Sequence, residues 1–122
     1  MRWLHHMKGT LTFCACACLA VWGGLRAWER YQATWPVTKA ADWQMDKGNY
    51  KKALTMLADA HHQNPHDLQV TAMLAECFDR TGDKAMAAML YREALPFIEN
   101  DKDSSDSAYH RERLKMLQML GY

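Results

Sequence analysis

The stretches ADWQMDKGNYKKALTMLADA (residues 41–60) and AECFDRTGDKAMAAMLYREA (residues 75–94) lie 34 positions apart and share their small residues. Ala41 matches Ala75, Gly48 matches Gly82, Ala53 matches Ala87 and Ala60 matches Ala94, while Asn49 answers Asp83 just after each glycine. Self-similarity at a fixed step of about 20–50 residues marks units that stack, because one unit alone cannot bury its apolar face. Alanine at recurring positions lets helices approach closely, and the larger residues between fill the space.

Each stretch reads as a helix, a turn and a second helix. Proline after Trp35 disfavours helical angles at the tryptophan and suits a helix's first turn, so the first helix is expected over 36–47. Gly48 supplies the turn, and Asn49 is expected to cap a second helix over 50–62 carrying Ala53, Leu54, Leu57 and Ala60 at helical spacing. Asn64-Pro65 closes that unit. In the next, Leu74, Ala75 and Phe78 share one stripe. Gly82-Asp83 forms turn and cap, and Ala87, Leu90, Tyr91 and Ala94 line the following helix. Pro96 should end or kink it near Leu95.

The pattern resembles the tetratricopeptide repeat family. Leu74, Ala75, Phe78, Gly82, Ala87, Tyr91 and Ala94 fall at its signature sites in the second unit. In the first unit the matches are Ala40, Ala41, Gly48, Tyr50, Ala53, Leu57, Ala60 and Pro65. Gln44 departs, where the family prefers a large aromatic residue, and Pro96 comes three residues early. The resemblance implies an all-α fold of two helix–turn–helix units over 36–98. It also implies a concave face whose solvent-facing positions are Thr38, Asp42, Met45 and Asp46, then Gln69, Ala72, Glu76, Asp79 and Arg80. The lysine and asparagine set that chaperone-binding members use to hold carboxylate tails is replaced by Thr38, Asp42, Ala72 and Glu76. Four carboxylates against Arg80 favour a basic or mixed partner segment.

Outside the repeats, residues 1–8 read as an N-terminal tail. Between Lys8 and Arg26 lie seventeen residues without a charge, GTLTFCACACLAVWGGL. As a helix they would cover roughly 26 Å against a bilayer core of about 30 Å, so residues 9–26 are expected to be a single-span anchor. Trp3, Trp22 and Trp28 would sit at the interfaces. A cleaved signal peptide, with Ala15-Cys16-Ala17 as the processing site, is the alternative. Arg2 and Lys8 favour the N-terminus in the cytoplasm, which would put the repeats on the non-cytoplasmic side, in a bacterial periplasm. Residues 27–35 read as a stalk, 99–106 as an acidic loop, and 107–122 as a capping helix on which Leu114 and Leu117 cover the end of the stack. Two repeats fall short of the usual three or so, so this cap, the stalk or a partner must complete the core.

Composition narrows the function. The net charge is +1, and setting aside Arg2 and Lys8 leaves 13 Lys and Arg against 14 Asp and Glu. That balance carries no footprint for nucleic acid. Cys14 and Cys18 share a helix face while Cys16 points away, so the three thiols do not converge on one ion. His5, His6, His61, His62 and His66 lack the spacing that completes a tetrahedral metal set. No haem-attachment motif, phosphate-binding glycine loop or nucleophile–base set is present, so neither a cofactor nor catalysis is expected. The expected role is a membrane-tethered interaction module, an adaptor, assembly factor or accessory subunit of a membrane complex. A soluble exported chaperone after signal cleavage is a second reading. Metal or thiol binding through Cys14, Cys16, Cys18 and the histidines is a third.

Overall fold

A computed structural model describes residues 2–101 and 104–122, with the backbone alone for 2–13 and 33. Among the described residues every regular element is an α-helix. The chain divides into two compact units, Met1–Trp35 and Pro36–Tyr122.

The first unit is the helix α1 (Arg2–Ala33). The expected tail from Arg2, the apolar segment and the stalk as far as Ala33 fall within it. From Cys14 to Tyr31 its described side chains are exposed, including Leu19, Val21, Trp22, Leu25 and Trp28. Trp28, Tyr31 and Trp35 pack their rings together at 5.6 to 6.0 Å between centroids. The single-span anchor expected over 9–26 falls in part on residues whose side chains lie outside the described set; among the described residues no helix is long and apolar enough to cross a membrane. The side chains of 9–13, like those of Trp3, His5 and His6, lie outside the described residues.

The second unit is a stack of α2 (Val37–Asp46), α3 (Tyr50–Gln63), α4 (Leu68–Thr81), α5 (Lys84–Glu93), α6 (Leu95–Asn100) and α7 (Ser105–Met119). Pro36, at φ −59°, opens α2. The chain reverses through Gly48 (φ +77°) and Gly82 (φ +102°), a left-handed backbone that side chains with a Cβ disfavour. Asp67, Asp83 and Ser104 cap α4, α5 and α7 by accepting hydrogen bonds from the backbone N–H of Val70, Met86 and Ser107. Asn49 does not cap α3 as expected. Its Nδ2 donates instead to Gln44 Oε1 at 3.1 Å, so the glutamine that replaces the aromatic residue tethers the turn from a buried position.

Ala41, Ala53, Ala75, Ala87 and Ala94 are wholly buried, and Ala60 is half-buried. Leu57 and Tyr91, themselves 34 residues apart, are fully enclosed. Burying side chains of this size contributes roughly 1.5–3 kcal/mol each. Pro96 interrupts the helix: α5 ends at Glu93, Ala94 turns, and α6 restarts with Pro96 in its first turn, where a missing N–H costs little. The acidic stretch expected as a loop is correspondingly short, because α6 runs to Asn100 and α7 begins at Ser105.

The last helix is more than a lid. Glu76 meets His110, and Asp79 meets Arg113, each pair again separated by 34 residues. As α4 packs on α3 and α2, so α7 packs on α5 and reaches α4 through these pairs. The helix expected as a cap thus takes the position of the first helix of a third unit, because the Asp79–Arg113 ion pair and the Glu76–His110 contact hold it in the repeat's own register.

An added Cβ at Gly82 meets nothing within 4 Å, so any cost there is backbone strain alone. Gly82→Ala is expected to lower stability in urea denaturation by about 1–2 kcal/mol with unchanged helix content. An unaltered midpoint would contradict the left-handed turn.

Candidate functional site

The first helices of successive units line up, and their inward faces bound a groove of about 810 Å³. From α2 come Thr38, Lys39, Asp42, Met45 and Asp46. From α4 come Gln69, Met73, Glu76 and Arg80, and Tyr50 opens the far wall from α3. Asp106, Ser107, Tyr109 and His110 close it from α7, and Phe97 and Asp101 stand at the α6 end. The 34-residue step sets a ladder across it. Asp42, Glu76 and His110 occupy equivalent positions on α2, α4 and α7, one beside the next.

Seven of the nine expected face residues line this groove: Thr38, Asp42, Met45, Asp46, Gln69, Glu76 and Arg80. Ala72 and Asp79 do not. Ala72 is wholly buried, serving as a close-contact residue. The Asp79 side chain is 1% exposed and faces α5 and α7 instead of solvent. Arg113 holds it through Nε at 2.6 Å and Nη2 at 2.8 Å, and Lys84 Nζ donates to it at 2.5 Å. Burial pushes its carboxyl upward, but the hydrogen bonds from Arg113 and Lys84 outweigh that and hold it below the usual range.

The groove remains acidic without Asp79. Asp42 has a raised pKa, first because it is partly desolvated and then because Asp46, Asp106 and Glu76 add like charge around it. Those four carboxylates come from three helices. Glu76 is met by His110 Nε2 at 3.3 Å and by Arg80 at 3.8 Å. Asp42, Asp46 and Asp106 have no ion-pair partner among the described residues. The Arg80 guanidinium lies 5.9 Å from the Tyr50 ring and 5.7 Å from the Tyr109 ring, within cation–π range of both.

The contribution of α7 was missed at the level of sequence. The signal was there: carrying the 34-residue step past Pro96 leads from Glu76 to His110 and from Asp79 to Arg113. Elsewhere, Cys77 is fully buried, and burial followed by the charge of Glu76 pushes its thiol up to about 12, so it is no nucleophile at neutral pH. Cys14, Cys16 and Cys18 are exposed, unpaired thiols on α1. No three of the described His, Cys, Asp and Glu side chains stand close enough together to hold a metal ion.

Residues 44–110, more than half of the chain, match the family model described as tetratricopeptide repeat. No curated protein and no solved structure matches the chain.

Asp79→Asn is expected to destabilise the protein by about 2–3 kcal/mol at neutral pH, because it leaves Arg113 and Lys84 without their charged partner. A lowered carboxyl pKa stabilises above the unfolded value near 4, and that stability fades as pH falls through the folded value. The gap between wild type and variant should therefore close in acid, and urea titrations at pH 7 and pH 3 measure it. An equal gap at both would rule out the ionised cluster.

Proposed function

The chain belongs to the tetratricopeptide repeat family, a family of protein-interaction modules, and we propose that it holds a partner segment of positive or mixed charge in the groove between α2, α4 and α7. The observation that carries this reading is the gathering of Asp42, Asp46, Glu76 and Asp106 around one cleft, where desolvation and then the neighbouring carboxylates raise the pKa of Asp42. Like charges gathered around one cleft repel until a cation arrives, even where Asp42, Asp46 and Asp106 are exposed. A positive segment gains attraction there and is steered to the groove from a distance, while an acidic tail is repelled. The role that follows is that of an adaptor or assembly factor.

The N-terminal helix supplies the finer part of the proposal: α1 rests on a bilayer surface and tethers the module there. Its support is the exposed set Leu19, Val21, Trp22, Leu25 and Trp28, with Arg26 stacked 4.6 Å over Trp22. Aromatic and basic side chains of this kind favour the headgroup boundary. A tether raises local concentration, so a weak groove contact suffices for capture.

Two experiments separate these parts. In affinity capture from cells, Asp42→Lys with Asp46→Lys should lose the wild-type protein partner, whereas Asp59→Lys on the exposed side of α3 should retain it. Equal capture by both variants would refute the groove. In flotation with phosphatidylglycerol-containing vesicles, the full chain should rise with lipid, and Leu19→Gln combined with Trp22→Gln and Leu25→Gln should leave it at the bottom. Wild-type protein that stays below would remove the tether and leave the groove untouched.

A further inference from the structure

A group of hydrogen-bond acceptors is gathered at one corner of the groove. Asp42 on α2 and Asp106 on α7 approach from opposite walls, and neither has an ion-pair partner among the described residues. Among the described residues, Asp106 accepts a side-chain hydrogen bond from the Ser105 hydroxyl at 3.4 Å. Ser107 and His110 line the same groove one helical turn apart, at 1% and 5% exposure. Ser107 Oγ and His110 Nδ1 are both buried without a hydrogen-bond partner. His110 turns Nε2 toward the Glu76 carboxylate, and with the proton on Nε2 its Nδ1 offers a lone pair. Two carboxylates, an imidazole lone pair and a hydroxyl oxygen are all acceptors.

We propose that this corner, formed by Asp42, Asp106, Ser107 and His110, is a subsite for an arginine side chain of the partner segment. The proposal rests on the groove reading above and names the chemistry of its occupant. A guanidinium matches the corner because it carries five N–H donors and no acceptor, arranged in a planar fork that can engage several acceptors at once. Lysine offers three donors from one point and cannot span two walls as well. A bare metal ion fits less well, since no three candidate ligands among the described residues stand close enough to hold one. The neighbouring wall already accommodates the same group: Arg80 lies over the rings of Tyr50 and Tyr109 while contacting Glu76. An incoming arginine relieves the repulsion among Asp42, Asp46, Asp106 and Glu76 and supplies donors to the two orphaned atoms.

The test uses the full chain and fluorescein-labelled Gly/Ser peptides bearing arginine, lysine or citrulline at every fourth position, read by fluorescence polarisation. Citrulline keeps the planar shape and removes the charge. The arginine peptide should bind most tightly, the lysine peptide about tenfold more weakly, and the citrulline peptide not measurably. Asp42→Asn and Asp106→Asn should each weaken arginine-peptide binding about tenfold, with Asp59→Asn unchanged. Asp106 lies in the first turn of α7, so Asp42→Asn serves as the independent variant if Asp106→Asn loses helix content by circular dichroism. Equal binding of the lysine and arginine peptides would overturn the guanidinium assignment, and indifference to both substitutions would overturn the subsite. If no arginine peptide binds while the charge-reversal capture still depends on Asp42 and Asp46, the subsite falls and the groove reading stands. Loss of both results overturns both.

Discussion

Asp79 sits almost completely out of solvent between Lys84 and Arg113, and the placement of α7 depends on it. An ionised carboxylate in that position would be strongly destabilising alone, since burial opposes its charge. Two cations with short hydrogen bonds turn it into a fastening point instead. Lys84 belongs to the helix that follows in the same unit, and Arg113 belongs to the helix of the next. The cluster therefore joins α4, α5 and α7 and fixes the distance at which α7 faces α4. The apolar contacts of Leu114 and Leu117 add burial, but they are less directional than a bidentate guanidinium.

The groove is a consequence of that register. When α7 docks one repeat beyond α4, His110 arrives beside Glu76, and Asp106 arrives opposite Asp42. The same docking buries Ser107 and one edge of the His110 ring, leaving polar atoms beneath a cluster of negative charge. Pro96 contributes by breaking α5 from α6, which lets the chain travel across the end of the stack before α7 begins. Stability and recognition thus use different carboxylates drawn from neighbouring positions: Asp79 is neutralised internally, whereas Asp42 and Asp106 remain available to a cation from elsewhere.

Much of the fold was legible because its determinants are local. Gly48 and Gly82 permit a left-handed turn, Asp83 caps a helix, and alanine at fixed positions allows close packing. All of these act within a few residues and repeat at a visible interval. Asn49 shows where that logic stops. It looks like a cap, yet Gln44, five residues earlier, offers its side chain a partner, and tertiary burial of Gln44 makes that contact the better one. The site was legible in part for a related reason. Family register carried Asp42 and Glu76 to the groove, but it assigned Asp79 to the same face without knowledge of Arg113.

By itself, the sequence determined that the chain is helical, where its turns fall, and that two units repeat at a step of 34 residues. These follow from backbone conformational preference and from the period of small side chains, which need no knowledge of distant neighbours. Only the tertiary structure decided that the last helix continues the repeat, that Asp79 is a fastener, and that the acidic face closes into a groove against α7. Those outcomes depend on which charges meet across the fold. Coulomb attraction between Asp79 and Arg113 acts over a few ångströms, and that proximity exists only once the helices between them have packed.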